Sequence, residues 1–295
     1  MKKIGFIGLG IMGKPMSKNL LKAGYELIVY DLNESSINEL VQAGAEAGTS
    51  PKDVASKSEV IITMLPNSPH VKEVVLGTNG VVEGAKKGSI VIDMSSIAPL
   101  VSREVGSKLE EKGIRFMDAP VSGGEPKAID GTLSIMVGAK EADFEECLPI
   151  LKAMGASVVL CGDVGAGNVT KLANQIIVAV NIAAMSEALV LATKAGVEPE
   201  RVYQAIRGGL AGSAVLDAKA PLVMDRKFDP GFRIDLHIKD LNNVLETGHG
   251  VGVPLPLSAS VMEMMQALKV DGHGEKDHGS LVLFYEKLAN IIVQK

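Results

Sequence analysis

The residues of this chain whose types and spacing can do chemistry fall into three groups. The first is Gly8-Leu9-Gly10-Ile11-Met12-Gly13, set between an apolar run and a helical pattern. Glycines at this spacing give a tight turn at Gly8, let a ligand approach the backbone at Gly10, and let the helix pack closely on the strand at Gly13. The helix start then offers free N–H groups and a positive dipole end to a pyrophosphate. Asp31 follows 18 residues after Gly13 at the end of the second apolar run, where a carboxylate accepts from a ribose 2′-hydroxyl and repels a 2′-phosphate. No arginine stands in Leu32-Asn33, so NAD is expected, with NADP possible. Asp31 can equally be a turn or capping residue. Met64-Leu65-Pro66 and Ser95-Ser96 close two further apolar runs and are expected at the same crevice, because ligands of open α/β sheets bind at the carboxyl ends of strands.

The second group is Ser122-Gly123-Gly124, a hydroxyl followed by backbone N–H groups that no Cβ shields, which can hold a carboxylate. A plain glycine turn is the equal alternative. The third is Lys171 with Asn174 and Gln175, which share one helical face at spacings of three and four. A lysine at the mouth of an apolar helix can snorkel to solvent. Two amides one turn further along instead suggest a hydrogen-bonding constellation.

Elements that position these groups can be read from periodicity. Strands are expected at Lys3–Gly8, Glu26–Asp31, Glu59–Met64, Ser89–Met94, Arg115–Asp118, Leu133–Val137 and Ser157–Leu160. Several are apolar at consecutive positions, as parallel strands covered on both faces are. Helices are expected at Met12–Ala23, Glu34–Ala43, Pro99–Lys112 and Glu141–Met154, the first three followed by glycine as a C-cap. Residues 162–167, rich in glycine, read as a flexible loop before a long apolar helix at about 168–195. Helical patterns without strands follow: Pro199–Arg207, Val215–Val223, Leu236–Gly248, Pro256–Ala267 and Ser280–Ile292. The expected fold is α/β: a Rossmann-like doubly wound sheet domain over 1–163 and an all-α domain over 164–295, joined by the long helix.

Composition excludes several classes. The chain has 295 residues, 46% hydrophobic and 22% charged, enough for two cores and against disorder. A net charge of −5 without basic blocks argues against nucleic-acid binding. Lys2 and Lys3 precede an apolar stretch too short and too glycine-rich for a signal peptide, and the long apolar helix carries Asn174, Gln175 and Glu187, so no membrane segment is expected. Cys147 and Cys161, lacking any CxxC context, are expected to be reduced and buried in a cytoplasmic protein. The five histidines show no metal spacing, and His273 and His278, in a glycine-rich charged stretch, are expected to be solvated. Neither a nucleophile elbow nor a GxxxxGK[ST] loop occurs, which sets hydrolases and NTPases aside.

Taken in order, Phe6–Gly13, Asp118-Ala-Pro-Val-Ser-Gly-Gly124, Gly165-Ala-Gly167 with Lys171, and Lys239-Asp240 resemble the β-hydroxyacid dehydrogenase family over nearly the whole chain. The resemblance implies an NAD(P)-dependent oxidoreductase acting on a small carboxylate-bearing aldehyde or hydroxyacid. Lys171 would be the catalytic general acid, and Ser122, Gly123 and Gly124 would hold the substrate carboxylate. Ser96 stands where relatives carry Thr beside the nicotinamide, and Lys239 would contact the cofactor. Many members place Asn four residues after the lysine; here Asn174 and Gln175 stand at plus three and plus four, and either can serve. The stretches 123–132, 207–212 and 232–239 resemble the branch that reduces 2-hydroxy-3-oxopropanoate to D-glycerate, with 3-hydroxyisobutyrate oxidation the alternative. A non-catalytic NAD-binding regulator is the remote alternative, disfavoured by the retained lysine and serine-glycine pair. The long apolar helix and Met262-Glu-Met-Met265 suggest a homo-oligomer, dimer or tetramer.

Overall fold

The computed structural model describes residues 3–295; Met1 and Lys2, which open the expected first domain, lie outside the described residues. The chain divides into two compact units that meet between Lys171 and Leu172.

Among the described residues, the first unit holds nine strands: β1 (Lys3–Ile7), β2 (Glu26–Tyr30), β3 (Glu46–Ala47), β4 (Val60–Thr63), β5 (Ile90–Asp93), β6 (Arg115–Asp118), β7 (Val121–Ser122), β8 (Leu133–Gly138) and β9 (Gly155–Gly162). They form one sheet in the order β3-β2-β1-β4-β5-β6-β8-β7, with β9 also alongside β8. The first six in that order run parallel, and β8 turns antiparallel to β6 and β7. Its helices are α1 (Gly13–Lys22), α2 (Glu34–Gln42), α3 (Pro51–Ser56), α4 (Ser68–Leu76), α5 (Val81–Gly84), α6 (Pro99–Glu110), α7 (Gly124–Asp130) and α8 (Glu141–Lys152).

The consecutive apolar residues of the strands supply two cores. Leu27, Val29, Val60, Ile62, Ile90 and Ile92 point into one layer. Ile28, Ile61 and Val91, the residues between them, point into the other. The residue after each central strand then donates to the last residue of its neighbour: Gly8 N–H to the Tyr30 carbonyl, Met64 to Ile7, Met94 to Thr63 and Ala119 to Asp93, all at 2.7–3.0 Å. Five strand ends are thereby held level along one edge of the sheet.

Helix α9 (Ala166–Lys194) begins in the first unit and continues into the second, where α10 (Pro199–Ile206), α11 (Ala214–Met224), α12 (Ile234–Gly250), α13 (Pro256–Leu268) and α14 (Val282–Ala289) complete an all-helical body. By length and composition α9 could cross a membrane. Its Ala179, Ile182, Ala183, Met185, Leu189 and Val190 instead fill the second unit's core with Leu241, Met262, Met265 and Leu281.

The expected sheet domain and helical domain are both present. Five short elements, β3, α3, α5, β7 and α7, escape periodicity because none completes enough turns or alternations to show it; α4, as long as α2, is also not among the expected helices. Helices α3 and α4 nonetheless carry a start signal. Ser50 and Asn67 cap them by accepting from Asp53 N–H and His70 N–H, with proline in the first turn. The last helix is shorter than expected: a 3₁₀ turn occupies His278–Leu281, and α14 stops where Asn290 takes a left-handed φ of 47°. Residues 162–167 are an anchored strand-to-helix junction, not a flexible loop: Gly162 ends β9, Ala166 starts α9, and the Asp118 carboxylate accepts from Gly165 N–H. Cys147 is buried as expected, while Cys161 is only half-buried.

Ile62 is fully buried in the middle of the sheet. Ile62→Ala is expected to destabilise the chain by about 2–5 kcal/mol, through lost transfer energy and a residual cavity, as read by denaturant unfolding.

Candidate active site

The glycine turn is dictated by close packing. Gly8 sits at φ +97°, and a Cβ there would lie 2.3 Å from the Met64 carbonyl oxygen; a Cβ on Gly13 would lie 1.9 Å from the Gly8 carbonyl oxygen. Gly10 is different: a Cβ there would meet nothing within 4 Å. The chain's own packing therefore does not require glycine at position 10, and the open space fits a ligand approaching the backbone. No side chain caps α1, and no acidic residue stands in its first turn, so its leading N–H groups suit a pyrophosphate. Ile11 is exposed, and Met12, the N-cap residue, is half-buried. The residues present fit a dinucleotide.

Asp31 has work inside the chain as well. Its carboxylate accepts from Leu9 N–H at 2.6 Å and from Asn33 N–H at 2.8 Å, tying the glycine turn to the end of β2. A carboxylate offers about four acceptor positions, so the capping role leaves capacity for a ribose hydroxyl.

At the next strand ends, Met64 and Leu65 are half-buried and Pro66 is exposed. Leu65 N–H donates to Ser95 Oγ at 2.8 Å, and Ser95 Oγ donates to Asp93 Oδ1 at 2.5 Å. Thr63 Oγ1 donates to the same Asp93 oxygen at 2.8 Å. Ser95 is fully buried and its hydroxyl is used by the chain itself; Ser96 beside it is half-exposed. That Asp93 is wholly buried shows only in the fold. Burial pushes its carboxyl up to about 7, against the opposing hydrogen bonds from Ser95 and Thr63. Asp118, its partner across the β5–β6 register, is also raised by burial, although the N–H groups of Gly165 and Asn168 favour its charged form.

Ser122 ends β7, opposite Ser134 of β8. Gly123 follows at φ +139° and Gly124, at φ +68°, opens α7. Ser122 and Gly124 are half-buried and Gly123 is exposed, so the hydroxyl and the two N–H groups stand at a strand-to-helix turn that only glycine adopts. Lys171 is 6% exposed. It does not snorkel; it is a buried lysine on the first turns of α9.

In the second unit, Gln175 is buried and fully engaged. Its Nε2 donates to Asp240 Oδ2 at 2.6 Å, and its Oε1 accepts from Asn174 Nδ2 at 2.8 Å. Asn174, half-buried, is therefore the better placed of the two amides to meet a ligand. Lys239 Nζ stands 2.7 Å from Asp240 Oδ1, so one buried carboxylate orients both the lysine and the amide pair. His278 departs from expectation: it is 5% exposed, its Nδ1 lies 2.9 Å from Nδ1 of fully buried His237, and Phe232 packs against both rings. The charged stretch around His278 folds back because Asp277 accepts from the N–H groups of Gly231, Phe232 and Gly279 and binds Lys219 at 2.9 Å.

Residues 3–162 match the family described as the NAD binding domain of 6-phosphogluconate dehydrogenase. Residues 165–285 match the NAD-binding family of NADP-dependent 3-hydroxyisobutyrate dehydrogenase. The chain is 43% identical to 2-hydroxy-3-oxopropionate reductase of Escherichia coli (strain K12) over 98% of both chains. It is 40% identical to 2-(hydroxymethyl)glutarate dehydrogenase of Eubacterium barkeri, over 99% of this chain and 97% of that one. The solved structure of Mycobacterium tuberculosis 3-hydroxyisobutyrate dehydrogenase with L-serine superposes with a TM-score of 0.90 at 30% identity, covering 97% of this chain and 99% of that chain. The chain belongs to the β-hydroxyacid dehydrogenase family and is an NAD(P)-dependent oxidoreductase acting on CH–OH groups.

Because the fold prefers the protonated Asp93 carboxyl, the folded chain retains a proton that the unfolded chain releases near pH 4. This group's contribution to stability therefore declines as pH rises from about 4 to about 7. Asp93→Asn removes that decline, so denaturation of the two proteins between pH 4 and 8 is expected to show the variant gaining on the wild type as pH rises. Parallel profiles would contradict it.

Proposed function

We propose that the chain reduces 2-hydroxy-3-oxopropanoate (tartronate semialdehyde) to D-glycerate, with NADH preferred over NADPH. The observation that carries the reading is the buried Lys171, one turn into a helix whose start is seated on the ends of β6 and β8. Support for the substrate comes from the 43% identical E. coli relative. The 3-hydroxyisobutyrate dehydrogenase structure supports the second reading, oxidation of a branched β-hydroxyacid by the same residues.

Ser122 Oγ and the N–H groups of Gly123 and Gly124 hold the substrate carboxylate and orient the aldehyde. Bound nicotinamide supplies two electrons and a hydrogen to the aldehyde carbon. Lys171 stabilises the negative charge growing on the carbonyl oxygen and donates the proton that completes the alcohol. Asn174 completes the polar lining on the same helix, and Gln175, with Asp240, holds it in place. Gly8, Leu9, Gly10, Ile11, Met12 and Gly13 receive the pyrophosphate. Asp31 receives the adenosine ribose. Met64, Leu65, Pro66, Ser95 and Ser96 frame the nicotinamide end, and Lys239 contacts the cofactor. In the second unit Ile177, Ala184, Ala188 and Leu191 form one exposed apolar face of α9, which supports a homo-oligomer, dimer or tetramer. We place the protein in the cytoplasm.

Purified protein is expected to oxidise NADH with 2-hydroxy-3-oxopropanoate. Lys171→Ala is expected to lower kcat by about 10²–10⁴, the span of general acid–base catalysis. NADH affinity, read by fluorescence titration, should stay within about twofold, since the lysine acts on the substrate oxygen. Turnover only of 3-hydroxyisobutyrate with NAD would move the assignment to the second reading. Asp31→Ser should cost kcat/KM more with NADH than with NADPH, because it removes both a ribose acceptor and the repulsion of a 2′-phosphate; an unchanged ratio would remove Asp31 from cofactor choice.

A further inference from the structure

Two buried side chains that reach none of the assigned ligand positions tie together three segments that carry them. Asp118, at the end of β6, accepts from Gly165 N–H at 2.6 Å through Oδ1 and from Asn168 N–H at 2.7 Å through Oδ2. These amides belong to the start of α9, where intrahelical partners are absent. Asn168 adds two bonds of its own: Oδ1 accepts from Ile97 N–H at 3.1 Å, and Nδ2 donates to Ser102 Oγ at 3.0 Å. Asp118, Asn168, Ile97 and Ser102 are all fully buried.

The joint has no slack. A Cβ on Gly138 would lie 2.4 Å from Asp118 Oδ1, and one on Gly167 would lie 2.4 Å from the Met136 carbonyl oxygen. The helix start rests directly on the ends of β6 and β8. Each bonded segment leads to a residue assigned above. Asp118 precedes Ser122 by four residues in a short β6–β7 connection. Ile97 follows Ser96. Asn168 precedes Lys171 by three residues, about 4.5 Å along the helix.

We infer that Asp118 and Asn168 are positioning residues of this enzyme, fixing where Lys171 stands relative to the Ser122 turn and the Ser96 loop. The inference rests on the reading of Lys171 as the proton donor. A displacement of about 1 Å can cost a reaction about a hundredfold, so a loosened helix start lowers turnover before it unfolds the chain.

The test uses the full-length protein, with NADH and whichever of 2-hydroxy-3-oxopropanoate or 3-hydroxyisobutyrate (with NAD) turns over. Asn168→Ala is expected to lower kcat about ten- to a hundredfold, with the cofactor Kd within about twofold. Ser102→Ala, which removes one acceptor, should lower kcat several-fold in the same pattern. In the Lys171→Ala background, Asn168→Ala should leave the residual rate unchanged, because its effect passes through the lysine. Losses that multiply in the double variant, or a raised cofactor Kd matching the kcat loss, would mark a merely structural role and overturn the inference. So would kcat within twofold of wild type in both single variants while Lys171→Ala is inactive; that result leaves the lysine reading standing. Full activity of Lys171→Ala would instead overturn the lysine reading and this inference with it. If Asn168→Ala fails to fold, Ser102→Ala alone and in the Lys171→Ala background decides by the same criteria.

Discussion

A helix that starts against a sheet presents amide protons that water cannot reach, and here a carboxylate from another element meets two of them. Asp118 stands at the end of β6, buried, and accepts from Gly165 and Asn168. A charge at that depth is costly unless it is hydrogen-bonded, and an uncapped helix start is costly unless something accepts from it. Each group offsets part of the other's penalty, although burial still leaves the Asp118 carboxyl raised. Because both lie where α9 starts against the sheet, the exchange fixes the start of that helix. Lys171 follows one turn later and is buried.

The neighbouring strand end shows the same logic with a different outcome. Asp93 faces Asp118 across the β5–β6 register but receives hydroxyls where Asp118 receives helix amides. Two hydroxyls and the Ser95 N–H, all on one oxygen, do not repay its burial, and among the described residues the second oxygen has no hydrogen-bond partner. Its proton is therefore held to higher pH than an ordinary carboxyl holds one. Two aspartates of one type at equivalent positions serve as a capping group and as a hydrogen-bonded clamp for Ser95 and Leu65. Environment alone separates them.

In the second unit, Asp240 repeats the pattern on a helix. One carboxylate orients Lys239 with one oxygen and Gln175 with the other. Gln175 thereby becomes part of the scaffold, and its neighbour Asn174 keeps more exposure. Asp277 likewise gathers three N–H groups and Lys219, which pulls His278 into the core beside His237.

Sequence by itself determined what depends on local pattern. Period and composition place the long strands and helices, and Gly8, Gly10 and Gly13 declare a turn whose backbone must approach something closely. Lys171, Ser122 and the glycine pair stand out in sequence only as candidates, each with an ordinary alternative: a snorkelling lysine and a plain glycine turn. The short elements were less legible, although Ser50-Pro51 and Asn67-Ser68-Pro69 carry a readable cap signal. Tertiary structure alone decided what depends on burial and on partners far apart in the chain. No pattern near Asp93, Asp118, Asn168 or His278 shows that these polar groups are enclosed, or that residues 162–167 are anchored. Apart from the Ser95 contacts of Asp93, two residues away, their hydrogen bonds join positions 30 to 71 residues apart for Asp93, Asp118 and Asn168, and 41 apart for the histidines. A polar side chain looks alike in sequence whether water or another element will satisfy it, and only the folded backbone decides which.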